Sequence, residues 1–322
     1  MSRGLARTSA VRREPAPELA AEVLQCLSER PKRLPPKLLY DARGSELFEL
    51  ICRQPEYYLW RAEREILIDK APAIAGLIGP RATLIDLGSG AADKTRLLLA
   101  ALDRPAAYVP VDISGDQLAG VAASVALAHP EVEVRPVRAD YSRTFDLPNL
   151  PRDARRIVYF PGSTIGNFHP VEAAAFLDRL RRMVGPRGAI LLGVDRLKDR
   201  ATLEAAYDDA NGVTAAFDLN VLERLNRELR ASFDTARFRH VARFDEEARR
   251  VEMHLESLIA QDVDVAGERF HLAAGERIWT ESSYKYDVPS LERLAASSGL
   301  EVACLFEDRE ARFWVAWLVP RT

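Results

Sequence analysis

The residues with the clearest chemical potential are three aspartates and two glycines. Asp86-Leu87-Gly88-Ser89-Gly90 closes the apolar run ATLIDLGSG and precedes the helical pattern DKTRLLLAAL. Glycine at a strand-to-helix turn lets backbone approach a ligand, and a carboxylate at the strand end accepts hydrogen bonds. Asp112 closes the next apolar run, AYVPVDIS, where an acidic side chain can hold both hydroxyls of a ribose. Asp140 closes the third, EVEVRPVRAD, and Tyr141 follows it; this pair suits the amino group and the face of an adenine. Any one of these residues equally suits a tight turn or a helix cap. As a set they fall at the carboxyl edge of successive strands, where open α/β sheets bind ligands.

Strands alternating with helices must position them. After the first three runs come RRIVYFPGS, the helix VEAAAFLDRLRRMV and the strand GAILLGVD. Such alternation predicts βαβ units and a parallel sheet covered on both faces. Residues 197–286 interrupt it with two helical stretches and then paired strands of alternating polarity between 234 and 265. PSLERLAASSGL restores a helix, and EVACLFED and FWVAWLVP close the chain as a hairpin around REAR. The expected fold class is α/β: a seven-stranded, Rossmann-like sheet with a terminal antiparallel hairpin and an inserted α+β domain. Upstream, residues 17–30 have helical periodicity, a short helix is expected around Ser45–Cys52, and a longer one after Pro55. Residues 1–16 are polar and aperiodic and read as a mobile tail. The expected division assigns 61–196 and 287–322 to the sheet domain, and 17–60 with 197–286 to a domain that binds the substrate.

Composition narrows the classes. The chain is 48% hydrophobic and 29% charged with a net charge of −3, so it carries no electrostatic footprint for nucleic acid or an anionic membrane. Three scattered cysteines and five histidines show no metal spacing, and no metal is expected. His169, before Pro170, reads as a helix-entry residue rather than a general base. Gly162-Ser163-Thr164-Ile165-Gly166 lacks the central serine of a hydrolase elbow. The first residues lack the apolar stretch of a secretory signal, and no run is long enough to cross a bilayer. A cytoplasmic monomer acting on a small molecule is expected.

Two nucleotides compete for the glycine turn. A dinucleotide fingerprint wants a third glycine near its pyrophosphate, and here Asp93 stands instead. S-adenosyl-L-methionine has no phosphate and carries a sulfonium cation, so acidic surroundings suit it. Lys94 reads as a solvated helix residue that can also reach a cofactor carboxylate. A nicotinamide-dependent oxidoreductase stands as the alternative of another class.

The nonapeptide Phe160-Pro161-Gly162-Ser163-Thr164-Ile165-Gly166-Asn167-Phe168 resembles that of the histidine Nα-methyltransferases of ergothioneine biosynthesis and their fungal relatives, including dimethylallyltryptophan N-methyltransferases. Leu38-Leu39-Tyr40-Asp41 and Pro55-Glu56-Tyr57-Tyr58 fit the same family, and the likeness runs from Leu34 to the C-terminus. It implies a class I methyltransferase fold, with Tyr40 among the cofactor-binding residues and Gly162 at the substrate. It implies that Tyr57, Asn167 and Tyr207 hold the amino and carboxylate groups of an amino acid, Tyr57 and Asn167 acting as the catalytic pair. It implies that Glu281 and Ser283 hold an imidazole beside Met253, giving N,N,N-trimethylhistidine (hercynine). Chemistry agrees in part: a carboxylate accepts from a ring N–H and a hydroxyl serves the other nitrogen. Taken singly, a Tyr-Tyr pair suits packing, Met253 suits a core and Glu281 suits a solvated strand. An N-methyltransferase of another amine, such as a tryptophan derivative, shares everything except Glu281 and Met253.

Overall fold

The computed structural model describes residues 17–151 and 153–321, without the side chains of 116 and 117. The tail expected at 1–16 lies outside the described residues. Six strands run parallel in the centre and edge of the main sheet. They are β1 (Thr83–Leu87), β2 (Ala107–Asp112), an edge pair β3 (Glu133–Val134) and β4 (Val137–Arg138), and β5 (Arg156–Phe160); β6 (Ala189–Asp195) continues the parallel set beside β5. β12 (Leu300–Glu307) and β13 (Phe313–Pro320) complete it, in the order β12-β13-β6-β5-β1-β2-β3, with β4 also on β2. β13 is antiparallel to both of its neighbours, β6 and β12. One expectation is corrected here. The third strand is not a continuous run over 131–140 but two short pieces, because Pro136 between them has no N–H to give the ladder.

β1 is buried along its whole length, as a strand covered on both faces must be. Helices α5 (Asp93–Ala101), α6 (Gly115–Ala128), α7 (Pro170–Val184) and α10 (Val288–Ser297) follow their strands. α4 (Ala71–Ile78) leads into β1 and packs on α5, while α3 (Tyr58–Asp69) packs on α5 and β13.

The remaining elements gather above the carboxyl edge. α8 (Arg200–Ala205) and α9 (Val213–Leu229) follow β6; then come β7 (Phe238–Asp245), β8 (Arg250–Ser257), β9 (Gln261–Val265), β10 (Glu268–Leu272) and β11 (Arg277–Tyr284). They make a three-stranded sheet, β11-β8-β7, and a hairpin, β10-β9. α1 (Pro17–Ser28) packs on β10, and α2 (Ala42–Ile51) packs on α9. Between α1 and α2 the chain adds itself to the free edge of β11: Leu34 N–H donates to Trp279 O at 2.8 Å and Trp279 N–H to Lys32 O at 2.9 Å. Among the described residues no helix is long and apolar enough to cross a membrane.

Candidate active site

A cavity of about 880 Å³ lies where these two layers meet. One end is the edge of the parallel sheet. Gly88 takes φ of +72° in the turn after β1, a conformation costly for any residue with a Cβ. The turn is tied to β2 on both sides: Gly88 N–H donates to Val111 O at 2.8 Å, and Gly90 N–H to Asp112 Oδ2 at 3.3 Å. Asp112 Oδ1 accepts from Ser114 N–H at 3.0 Å, so its carboxylate is fixed at the wall. Asp140 is oriented by the N–H of Ser142 at 3.0 Å, and Tyr141 stands edge-on to Phe160 with centroids 5.5 Å apart. Ser89 Oγ is buried at this wall with no partner among the described residues, an orphan polar atom where a polar ligand fits.

The other end is roofed by β8, β11, α9 and the segment around Tyr57. Tyr40, Tyr57, Gly88, Gly90, Lys94, Asp112, Asp140, Tyr141, Gly162, Asn167, Tyr207, Met253, Glu281 and Ser283 all line this one cavity. Asp86 does not. It is fully buried behind the turn, where its Oδ2 accepts from Thr95 Oγ1 at 2.7 Å and from Tyr108 Oη at 2.9 Å. Burial pushes its carboxyl up to about 6 against those two hydrogen bonds. Asp86 is thus not among the residues that line the cavity: its Oδ2 contacts fasten β1 to β2 and α5, while its Oδ1 has no hydrogen-bond partner among the described residues.

The nonapeptide makes the joint between the ends. Its 3-10 turn, Thr164–Asn167, packs directly on β11. A Cβ at Gly166 would come 2.8 Å from Tyr284 O and 3.0 Å from Tyr284 N, so only glycine allows this approach. Asn167 is thereby brought to the same wall as Ser283. His169 begins α7, its N–H donating to Glu172 Oε2 at 3.1 Å as a helix-entry residue does.

A family model described as "Histidine-specific methyltransferase, SAM-dependent" matches residues 19–320. The chain belongs to that family. The histidine N-alpha-methyltransferase of Mycolicibacterium smegmatis is 40% identical over 309 residues, covering 94% of this chain and 95% of the relative. That of Mycobacterium tuberculosis is 42% identical over 300 residues, covering 92% of each. Ergothioneine biosynthesis protein 1 of Neurospora crassa is 34% identical over 279 residues, which are 84% of this chain and 31% of that longer protein. S-adenosylmethionine dependence is thus a property of the family to which the chain belongs.

Glu281 is buried, and its Oε2 has no hydrogen-bond partner among the described residues. Burial raises its carboxyl to about 8, with Asp218 adding to the rise and Lys285 opposing it. The phenols of Tyr57 and Tyr207 are held neutral because burial raises both. Tyr207 is anchored from behind: His240 Nε2 meets Tyr207 O at 2.8 Å, and His240 Nδ1 meets Asp218 Oδ2 at 2.7 Å.

Two buried residues beside the cavity escape a reading of the sequence. Glu63, on α3, is fully buried; its Oε2 accepts from Gly162 N–H at 2.8 Å and pairs with Lys94 Nζ at 2.5 Å, while Tyr159 Oη donates to Oε1 at 3.1 Å. In RAEREIL it resembles any solvated helical glutamate. Lys285 is buried under Ser283 and Tyr207, and the extended pattern Glu281-x-Ser283-x-Lys285 is the signal that could have found it.

Proposed function

We propose that this chain transfers methyl groups from S-adenosyl-L-methionine to the α-nitrogen of L-histidine, up to three times, giving the N,N,N-trimethylhistidine of ergothioneine biosynthesis. The observation that carries the reading is the buried, unpartnered Oε2 of Glu281 in a cavity wall it shares with Ser283 and Met253. Such an atom calls for a ligand donor, and an imidazole N–H is one. An indole offers a donor but no acceptor, and phenylalanine offers neither. A nicotinamide cofactor is disfavoured, since Asp93 stands where a pyrophosphate would be approached.

The glycine end fits S-adenosylmethionine. Asp112 holds the ribose hydroxyls, Asp140 and Tyr141 receive the adenine, and Lys94 with the backbone at Gly88 and Gly90 receives the amino-acid tail, with Gly162 at the substrate. When bound, S-adenosylmethionine supplies an electrophilic methyl group on a sulfonium sulfur. The chain's own contribution is alignment. Asn167 and Tyr57 direct the amine lone pair along the line of displacement, and Tyr207 helps to hold the carboxylate. A free α-amino group has a reference pKa of about 7.7–8.0, so a neutral fraction exists at mildly alkaline pH without a dedicated strong base.

Repeated transfer needs room for a growing cation. Tyr40, Phe48, Tyr57 and Phe217 line the cavity as an edge-to-face cluster, with centroid spacings of 5.5 Å for Tyr40–Phe48 and 6.0 Å for Phe48–Tyr57. Aromatic faces attract quaternary ammonium groups, so each added methyl suits this wall. Residues 17–60 and 197–286 form the substrate-binding part and 61–196 with 287–322 the cofactor-binding part. On this reading the protein is a monomer in the cytoplasm, a reducing compartment that suits its free cysteines Cys26, Cys52 and Cys304. The experiment is to offer S-adenosylmethionine with each amino acid in turn and weigh the products. Histidine gaining up to three methyl groups is expected; a different amino acid as the favoured acceptor overturns the reading.

A further inference from the structure

Behind Tyr207 and Ser283 lies a cation that the reaction does not touch. Lys285 has no solvent exposure at its side chain, and all three of its N–H donors are used: on Asp195 Oδ2 at 2.7 Å, Ser283 Oγ at 2.8 Å and Tyr207 Oη at 2.9 Å. The two hydroxyls also bond each other at 2.7 Å. Each oxygen thus accepts from the same ammonium, and one of the two hydroxyl protons is spent between them. One O–H remains for the cavity.

We infer that Lys285 is the positioning residue of the substrate's hydroxyl pair: it fixes both oxygens in place and makes the pair offer a single donor to the bound amino acid. The inference rests on the histidine reading above and deepens it. Its support is geometric. Lys285 lies one residue past the end of β11 and does not line the cavity, whereas Ser283 and Tyr207, whose hydroxyls its ammonium holds, both do. Lys285 is held in turn by Asp195, which also accepts from Tyr58 Oη at 2.9 Å and from Lys198 Nζ at 2.7 Å. Asp195 therefore keeps partners when Lys285 is removed, which makes replacement of the lysine by an apolar residue of similar length a fair experiment.

Lys285→Met is expected to raise the KM for histidine about tenfold, the scale of one lost hydrogen-bonded arrangement, with kcat and the affinity for S-adenosylmethionine held. In a Ser283→Ala background the same replacement is expected to cost less than its separate effect, because the lysine acts through that hydroxyl. Multiplicative, independent losses overturn the inference, as does an unchanged KM or a loss of cofactor affinity in step with histidine affinity. If Lys285→Met does not fold by circular dichroism, Lys285→Gln, which keeps two donors, is read by the same cycle. Wild-type protein that leaves histidine unmethylated defeats the histidine reading itself; wild-type turnover with an indifferent Lys285→Met defeats only the role of the lysine.

Discussion

Glu281 stands directly opposite Met253 in the β8–β11 pair because Thr280 bulges out of the ladder. Trp279 pairs with His254 and Glu281 with Met253, so one residue of β11 is passed over. A strand without the bulge would set Thr280 across from Met253 and turn Glu281 to the other face of the sheet. The bulge is pinned by Thr280 Oγ1, which donates to Met253 O at 3.0 Å. Two side chains of the cavity wall owe their shared direction to this one irregularity.

Substrate choice is the first consequence. Replacing Glu281 with Ala and Met253 with Val together should lower turnover of histidine and relax the exclusion of tryptophan. A buried polar group left unpaired costs about 1–3 kcal/mol, enough for tenfold discrimination or more. The check is competition between equal histidine and tryptophan, with products separated by mass. An unmoved product ratio would remove the imidazole role of this pair.

Glu281 also predicts a pH dependence of stability. Its carboxyl is raised by burial from an ordinary value near 4.5 to about 8. Between those values the folded chain keeps a proton that the unfolded chain has released. Stability from this group is therefore greatest below about pH 4.5, falls as pH rises toward 8, and levels off above. Glu281→Gln cannot ionise, so its Tm relative to the wild type should climb from pH 5 to pH 8, values chosen at roughly the two ends of that window. Asp86 shifts the same way but is present in both proteins and cancels from the difference. A difference in Tm that stays flat with pH would show that the carboxyl titrates normally.

At the cofactor end, Asp112→Ala should weaken S-adenosylmethionine binding. Each ribose hydroxyl would lose a charged acceptor worth about 1.5–3 kcal/mol. Titration calorimetry reads this directly. Unchanged affinity in a folded variant would take Asp112 out of the site.

Glu63→Ala should cost both stability and cofactor affinity. Removing one partner of a buried ion pair costs about 3–5 kcal/mol, and here the N–H of Gly162 and Tyr159 Oη lose their acceptor as well. Lys94 keeps slight exposure, which places the effect toward the lower end. Urea denaturation and calorimetry check the two halves; a variant as stable and as tight as the wild type would mean that the pair is incidental.

The sheet was legible because its signals are local. Apolar runs end in Asp86, Asp112 and Asp140, and β13 pairs antiparallel to β6 as the closing hairpin implies. The interrupted third strand was equally open to a stricter reading of Pro136. The substrate wall was another matter. Glu281, Ser283 and Met253 were found through resemblance, since nothing in their own neighbourhoods distinguishes them from strand and core residues. The strand-end position of Asp86 does not reveal that its Oδ2 is taken up by Thr95 and Tyr108. Glu63 and Lys285 could not be ranked from the sequence, because what makes them special is supplied by Gly162 and Asp195, far along the chain.

The stitch between Lys32–Leu34 and Trp279 sets an order of assembly. Its two halves lie about three-quarters of the chain apart, so joining them closes a very large loop, and such contacts come late in folding. The strand it fastens is the one that carries Glu281. A ribosome releasing this chain from its N-terminal end can complete β1, β2, β5 and β6 early, yet the amino-terminal segment must wait for β11, and the outer edge of β6 must wait for β13. The nascent protein thus acquires its nucleotide-facing edge long before it can select an amino acid.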